Sequence, residues 1–221
     1  MRPVRRHLAT IHGPPDEVIR AYDRIADAWR DARVAGAVTF RERPWVDRLV
    51  LPLLPDARIL DAGCGCGVPI ASYLVGLGFE VVGLDGSARL LELARAAMPG
   101  TQFILGDMRT ADPAGSFDAI VAWDSVFHLP RDEHREIFRR FRSWLRPGGR
   151  LLVSLGGSAD AELRSEMHGA TFFYSAHEPS EALDLLEGVG FEVEHWEVDD
   201  PSSRGHIAIV AVRDAAAVQA P

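Results

Sequence analysis

The sequence predicts a mostly parallel α/β sheet with helices on both faces, and three features carry that reading. From Arg58 onward, short apolar runs alternate with segments of helical period, which is the pattern of successive βαβ units. The glycine-rich stretch Asp61-Ala62-Gly63-Cys64-Gly65-Cys66-Gly67 follows the first apolar run and opens a helix. Acids stand at three successive strand ends, Asp61, Asp85 and Asp107. A doubly wound sheet binds its ligands beyond those carboxyl ends.

Taken in order, residues 16–35 repeat Val18, Ile19, Tyr22, Ile25, Ala26 and Trp29 at helical spacing behind the pair Pro14-Pro15, which predicts an amphipathic helix. Strands are expected at residues 58–62, 80–85, 102–106, 117–123 and 149–155, and helices at 68–77, 87–98 and 131–145. Pro69 suits the first turn of its helix, where a missing N–H costs nothing. Gly78 and Pro147-Gly148-Gly149 are stop signals. Past Leu155 the pattern changes: residues 170–175 are extended, 179–189 helical up to Gly190, and 191–198 and 206–212 are strands. The turn-rich segment 199–205 joins those two strands, as in an antiparallel hairpin. Residues 214–221 read as a flexible tail.

Composition narrows the function. The 221 residues are 47% hydrophobic and 25% charged, which suits one globular domain. The net charge of −8 argues against nucleic-acid binding, which needs a basic footprint to displace phosphate counterions. All 24 basic residues are arginines, so a Schiff-base lysine, a lysine-bound pyridoxal phosphate and a P-loop lysine are excluded. Cys64 and Cys66 are one residue apart, too close for an unstrained disulfide. No second pair completes a zinc site, so no metal is expected and both thiols read as small loop residues. With no secretory signal and no long apolar run, a cytoplasmic, non-membrane protein is expected.

Alternate glycines let a backbone turn sharply and approach a ligand with no Cβ in the way, yet two cofactor classes share such a loop. A nicotinamide fingerprint wants glycine three positions after Gly65, where this chain has Val68. The whole set of motifs resembles the class I methyltransferases that use S-adenosylmethionine (SAM). The matching segments are residues 59–67, Val82-Gly83-Leu84-Asp85-Gly86-Ser87, Gly106-Asp107-Met108, Phe117-Asp118-Ala119-Ile120-Val121-Ala122, and Leu145-Arg146-Pro147-Gly148-Gly149-Arg150-Leu151. The resemblance spans about residues 54–212. It implies a Rossmann-like, doubly wound seven-stranded sheet whose last strand is antiparallel. It also implies an N-terminal helical lid (residues 1–50) on a SAM-binding domain (51–213) with an acceptor-site insertion at about 156–178.

The resemblance further implies roles. Gly63, Gly65 and Gly67 pass under the methionine part of SAM, with Asp61 near its amino group. Asp85, with Gly86 and Ser87, takes the ribose, while Asp107 and Met108 take the adenine. Trp123 sits beside the methionine moiety, and Tyr22 and Trp29 close over the sulfonium. His128 and Asp124, just past the fourth strand, are the candidate catalytic groups, His128 because an imidazole titrates near neutrality; a positioning or capping role is its alternative. Phe173, Tyr174, His177 and His206 are candidates for the acceptor wall, although Phe173 and Tyr174 also suit a core strand. The expected reaction is in-line transfer to a small-molecule acceptor, which requires alignment and exclusion of water above all. The expected assembly is a monomer or homodimer. An NAD(P)-dependent oxidoreductase and a non-catalytic SAM-binding module are the competing readings.

Overall fold

The computed structural model describes residues 14–36, 39–157, 162–200 and 205–214. The expected tail beyond residue 214, most of the 199–205 turn and the start of the insertion lie outside the described residues. Among the described residues, no helix is long and apolar enough to cross a membrane.

Five parallel strands carry the apolar runs: β1 (Arg58–Ala62), β2 (Glu80–Asp85), β3 (Gln102–Leu105), β4 (Phe117–Ala122) and β5 (Leu145–Gly156). β8 (Phe191–Asp200) and β9 (His206–Arg213) complete the sheet in the order β3-β2-β1-β4-β5-β9-β8. β9 runs antiparallel to both of its neighbours, as expected of the last strand. The order reverses beside β1, so the crevice between the ends of β1 and β4 is the topological switch point.

Side chains of the central strands alternate between two apolar layers, which explains why their sequences read as unbroken hydrophobic runs. Leu60, Ile120, Leu151 and Val153 face one side, where α5 (His134–Trp144) supplies Ile137, Phe138 and Phe141 and α6 (Pro179–Glu187) supplies Ala182 and Leu186. Ile59, Ala119, Val121 and Leu152 face the other, covered by Trp45, Val46 and Leu49 of α2 (Arg43–Val50) and by Ile70, Ala71 and Leu74 of α3 (Ile70–Gly76). Periodicity did not signal α2, an eight-residue helix; its Trp45 packs on the sheet.

α1 (Pro14–Gly36) leaves the sheet layers. Val18, Ala21 and Ile25 pack on Ala170, Phe172 and Phe173 of a separate hairpin, while Ala26 meets Cys66 and Leu90 of α4 (Ala88–Ala97). The hairpin is β6 (Glu162–Met167) with β7 (Ala170–Ser175), turned by His168 and Gly169, which both have positive φ, the requirement of a two-residue type I′ turn. α1 therefore bridges hairpin and α4 directly above the glycine loop.

Candidate functional site

The cavity beneath α1 opens at the carboxyl ends of β1, β2 and β4 and contains about 970 Å³ of space, some of it open to solvent. That is a volume suited to a cofactor with a small ligand. Its floor is the glycine loop. Gly63 has φ 85°, and a Cβ there would lie 2.3 Å from the Cβ of Ser125, so only glycine permits the turn. Gly67 has φ 78° and packs its bare Cα against Met98 and Phe103 behind the floor.

Asp85 ties the loop to the next strand. One carboxylate oxygen accepts the N–H of Gly65 (2.8 Å) and the other accepts that of Ser87 (2.7 Å). Burial raises its pKa above the ordinary carboxylate range, against those hydrogen bonds. Asp61 is 4% exposed, and no described residue donates a hydrogen bond to its carboxylate. Burial, with Asp85 nearby, pushes its pKa up to about 7, opposed by Arg33. An acid so placed calls for a cationic or hydrogen-donating ligand. Asp107 also faces the cavity but is engaged: it accepts the N–H of Arg109 at 2.8 Å and pairs with that guanidinium.

α1 forms the roof through polar contacts as well as packing. Asp23 accepts from Ser87 Oγ at 2.6 Å and from the N–H of Arg89 at 3.1 Å. Asp16 pairs with Arg109 at 3.3 Å. Arg33 bonds Glu42 at 2.6 Å and its guanidinium lies 5.7 Å from the Trp29 ring centroid. Tyr22 donates its hydroxyl to His128 Nε2 at 2.9 Å. Sequence reasoning missed Asp16, Asp23 and Arg33. On an amphipathic helix they read as solvated charges, and only their distant partners give them a role.

The Tyr22 contact fixes the state of His128. Its Nδ1 lies 2.7 Å from the carbonyl oxygen of Phe173, which can only accept, so Nδ1 carries the proton and Nε2 is the acceptor for Tyr22. Burial lowers the His128 pKa to about 4, against the help of Phe173 and Asp124. The imidazole is therefore neutral near pH 7 and a weaker base than its unperturbed value suggested.

The structure brings Tyr22, Trp29, Asp61, Gly63, Gly65, Asp85, Gly86, Asp107, Met108, Trp123, Asp124 and His128 to the wall of one cavity. Gly67 and Ser87 stand behind it, Ser87 as the cap of α4 accepting the N–H of Leu90. The four proposed acceptor-wall residues do not line it. Phe173 offers its carbonyl to His128 and packs its ring under α1; the Tyr174 ring lies 4.9 Å from that of His128. His177 is buried against His134 (3.0 Å) and Arg131, anchoring the strand exit from the hairpin. His206 lies between Asp124 and Asp199.

Residues 59–149 match the family model described as a methyltransferase domain. The chain is similar to the trans-aconitate 2-methyltransferase of Rhizobium etli, 34% identical over 149 residues, which are 64% of this chain and 57% of that protein. It thus spans little more than half the length of that relative. Among solved structures it is similar to the DhpI–SAH complex (TM-score 0.74, 20% identity, 93% of this chain and 99% of that one). It is also similar to the 1,6-didemethyltoxoflavin-N1-methyltransferase of Burkholderia thailandensis, with bound 1,6-didemethyltoxoflavin and S-adenosylhomocysteine (TM-score 0.69, 20% identity, 93% and 92% covered). The matched methyltransferase domain covers β1 to β4, the start of β5 and the glycine loop that floors the cavity.

Proposed function

We propose that this chain transfers the methyl group of SAM to a small-molecule acceptor. The observation that carries the reading is Asp61, a buried carboxylate with no donor among the described residues, beside Asp85 and Asp107 around one glycine floor. SAM fits that donor set, since it offers an ammonium, a ribose diol, an adenine amino edge and a cationic sulfur. When bound, it supplies a methyl group already activated for nucleophilic attack.

The residues then divide the work. Asp61 receives the ammonium, Asp85 the ribose hydroxyls, and Asp107 the adenine edge with Met108 on its face. Tyr22 and Trp29 present aromatic rings to the sulfonium, as aromatic faces do to cations. α1 acts as the lid that excludes water while acceptor and methyl are aligned. His128 keeps an unprotonated Nε2 for Tyr22 or for an acceptor hydrogen taking its place. A weak base suffices there, because an acceptor atom becomes strongly acidic as the new bond forms. The acidic net charge and two buried free thiols support a cytoplasmic enzyme without a nucleic-acid partner.

Calorimetric titration with S-adenosylhomocysteine (SAH) and with NAD⁺ tests the cofactor, and binding of NAD⁺ alone would refute the reading. Turnover is tested by SAH release from SAM across hydroxyl, amine and carboxylate acceptors, trans-aconitate included. Tight SAM binding without release from any acceptor class would favour a binding module.

A further inference from the structure

One cluster at the cavity rim is left over by this account. β8 and β9 pair Val198 with Ile207 and then Asp200 with His206, so the register shifts and Asp199 is the extra residue. Such a bulge re-aims a side chain, and here the Asp199 carboxylate meets His206 Nδ1. The opposite ring nitrogen, Nε2, lies 3.0 Å from Asp124 Oδ1. An imidazole between two carboxylates donates from both nitrogens, which makes it a cation. Trp123 packs edge-on against it at 5.4 Å and Phe127 at 6.3 Å, screening it from water.

Asp124 is itself held in an unusual conformation. Its φ is 51°, in the left-handed region that aspartate enters more readily than most side chains. Its N–H donates to Ser154 Oγ of β5 at 2.8 Å. Asp124 follows β4 and lines the cavity with Tyr22 and His128, whereas Asp85 and Asp107 stand at the ends of β2 and β3, across β1. Its carboxylate keeps one oxygen that takes neither His206 nor Ser154.

We propose that Asp199, acting through the His206 imidazolium, fixes Asp124 as an ionised hydrogen-bond acceptor facing the transferring methyl group. The site thereby selects an acceptor amine or hydroxyl that carries a hydrogen. The proposal rests on the methyltransferase reading. Asp124 touches the acceptor, while His206 and Asp199 are positioning residues. In the reaction, the acceptor lone pair forms the bond to the methyl carbon. The carbon–sulfur bond breaks with its electrons left on sulfur, and the acceptor's proton departs along the Asp124 carboxylate to water.

A probe of that position exists in sinefungin, the SAM analogue whose amine-bearing carbon replaces the methylated sulfur and so puts an ammonium where the methyl would be. Its affinity and that of SAH are measured by calorimetry on the full chain and on Asp124→Asn, His206→Gln and Asp199→Asn. The wild-type chain should prefer sinefungin to SAH. Asp124→Asn should reduce the sinefungin-to-SAH ratio tenfold or more, and Asp199→Asn and His206→Gln at least threefold, with SAH affinity held within twofold in all three. That retained SAH affinity shows that each variant is folded. An unchanged ratio in Asp124→Asn overturns the proposal, and a loss in Asp124→Asn alone overturns the relay. Failure of the wild-type chain to bind either compound would instead sink the methyltransferase reading.

Discussion

The charge on His206 has a consequence for stability that this chain is unusually suited to show. Burial works against the imidazolium, but the Asp124 and Asp199 hydrogen bonds outweigh it and raise its pKa to about 10. A group raised in the folded state contributes stability below its unfolded pKa, near 6.5, and loses it as pH rises through the folded value. Between those limits the folded state holds one more proton than the unfolded state. The slope is then about −1.4 kcal/mol per pH unit, set by proton count and not by the size of the shift. From about pH 7.5 to about pH 9 the loss is about 2 kcal/mol. Few other groups titrate in that window. There is no lysine, and burial holds His128, His134 and His177 below their usual range. Asp61, raised to about 7, is past its midpoint and adds a small loss of the same sign at the start of the window. Cys64 and Cys66 are held neutral by burial, so they add a loss of the same sign from about pH 8 upward, where unfolded thiols ionise. Urea unfolding followed by tryptophan fluorescence, on wild type and His206→Gln, isolates the His206 part by difference. The variant's slope should be shallower by about 1.4 kcal/mol per pH unit; parallel lines for the two proteins would refute the imidazolium.

Three further outcomes follow from local geometry. Asp85→Asn removes a charge that accepts two backbone N–H groups and should weaken SAH binding by about ten- to a hundredfold, each tenfold being about 1.4 kcal/mol. Gly67→Ala forces a side chain into φ 78°, while the Met98 methyl 2.2 Å from the new Cβ can swing aside; the backbone strain predicts a loss of about 1–3 kcal/mol in urea melts. Tyr22→Phe deletes the bond to His128, at about 1–3 kcal/mol for leaving a buried acceptor unpaired, and should speed amide exchange along α1 with β1–β5 unaffected.

The sheet and the floor of the cavity were legible because each rests on a local pattern. Leu60 and Ile59 face opposite apolar layers, so a buried parallel strand reads directly as an apolar run. Asp61, Asp85 and Gly63 are tied to strand ends that such runs mark. What escaped depends on contacts between distant segments. β6 is mostly exposed along its length and carries no apolar alternation, while the turn beside it uses His168 where asparagine would have announced it. Asp199 gains its role from a one-residue slip in strand pairing, which the sequence of β8 does not mark. His128 does line the cavity, but its neutrality comes from burial, and its tautomer from the Phe173 carbonyl, forty-five residues away.

The roof and the cofactor site share more than a wall, and that sharing has a measurable result. Asp23 of α1 accepts from Ser87 Oγ and the N–H of Arg89, while Ser87 in turn donates its own N–H to Asp85. Asp16 holds Arg109, which pairs with Asp107. α1 thus docks on side chains that position the two carboxylates proposed to hold the adenosine. Docking of α1 and binding of the nucleoside then stabilise the same loop geometry, so each must favour the other. Asp23→Ala touches no part of the cavity wall, yet it removes two hydrogen bonds at the start of α4. It should weaken SAH binding about fivefold to a hundredfold, corresponding to two bonds at about 0.5–1.5 kcal/mol each. Adding SAH should also slow amide exchange in α1 of the wild-type chain more than in the variant. Equal SAH affinity in the two proteins would mean that the helix merely covers the site.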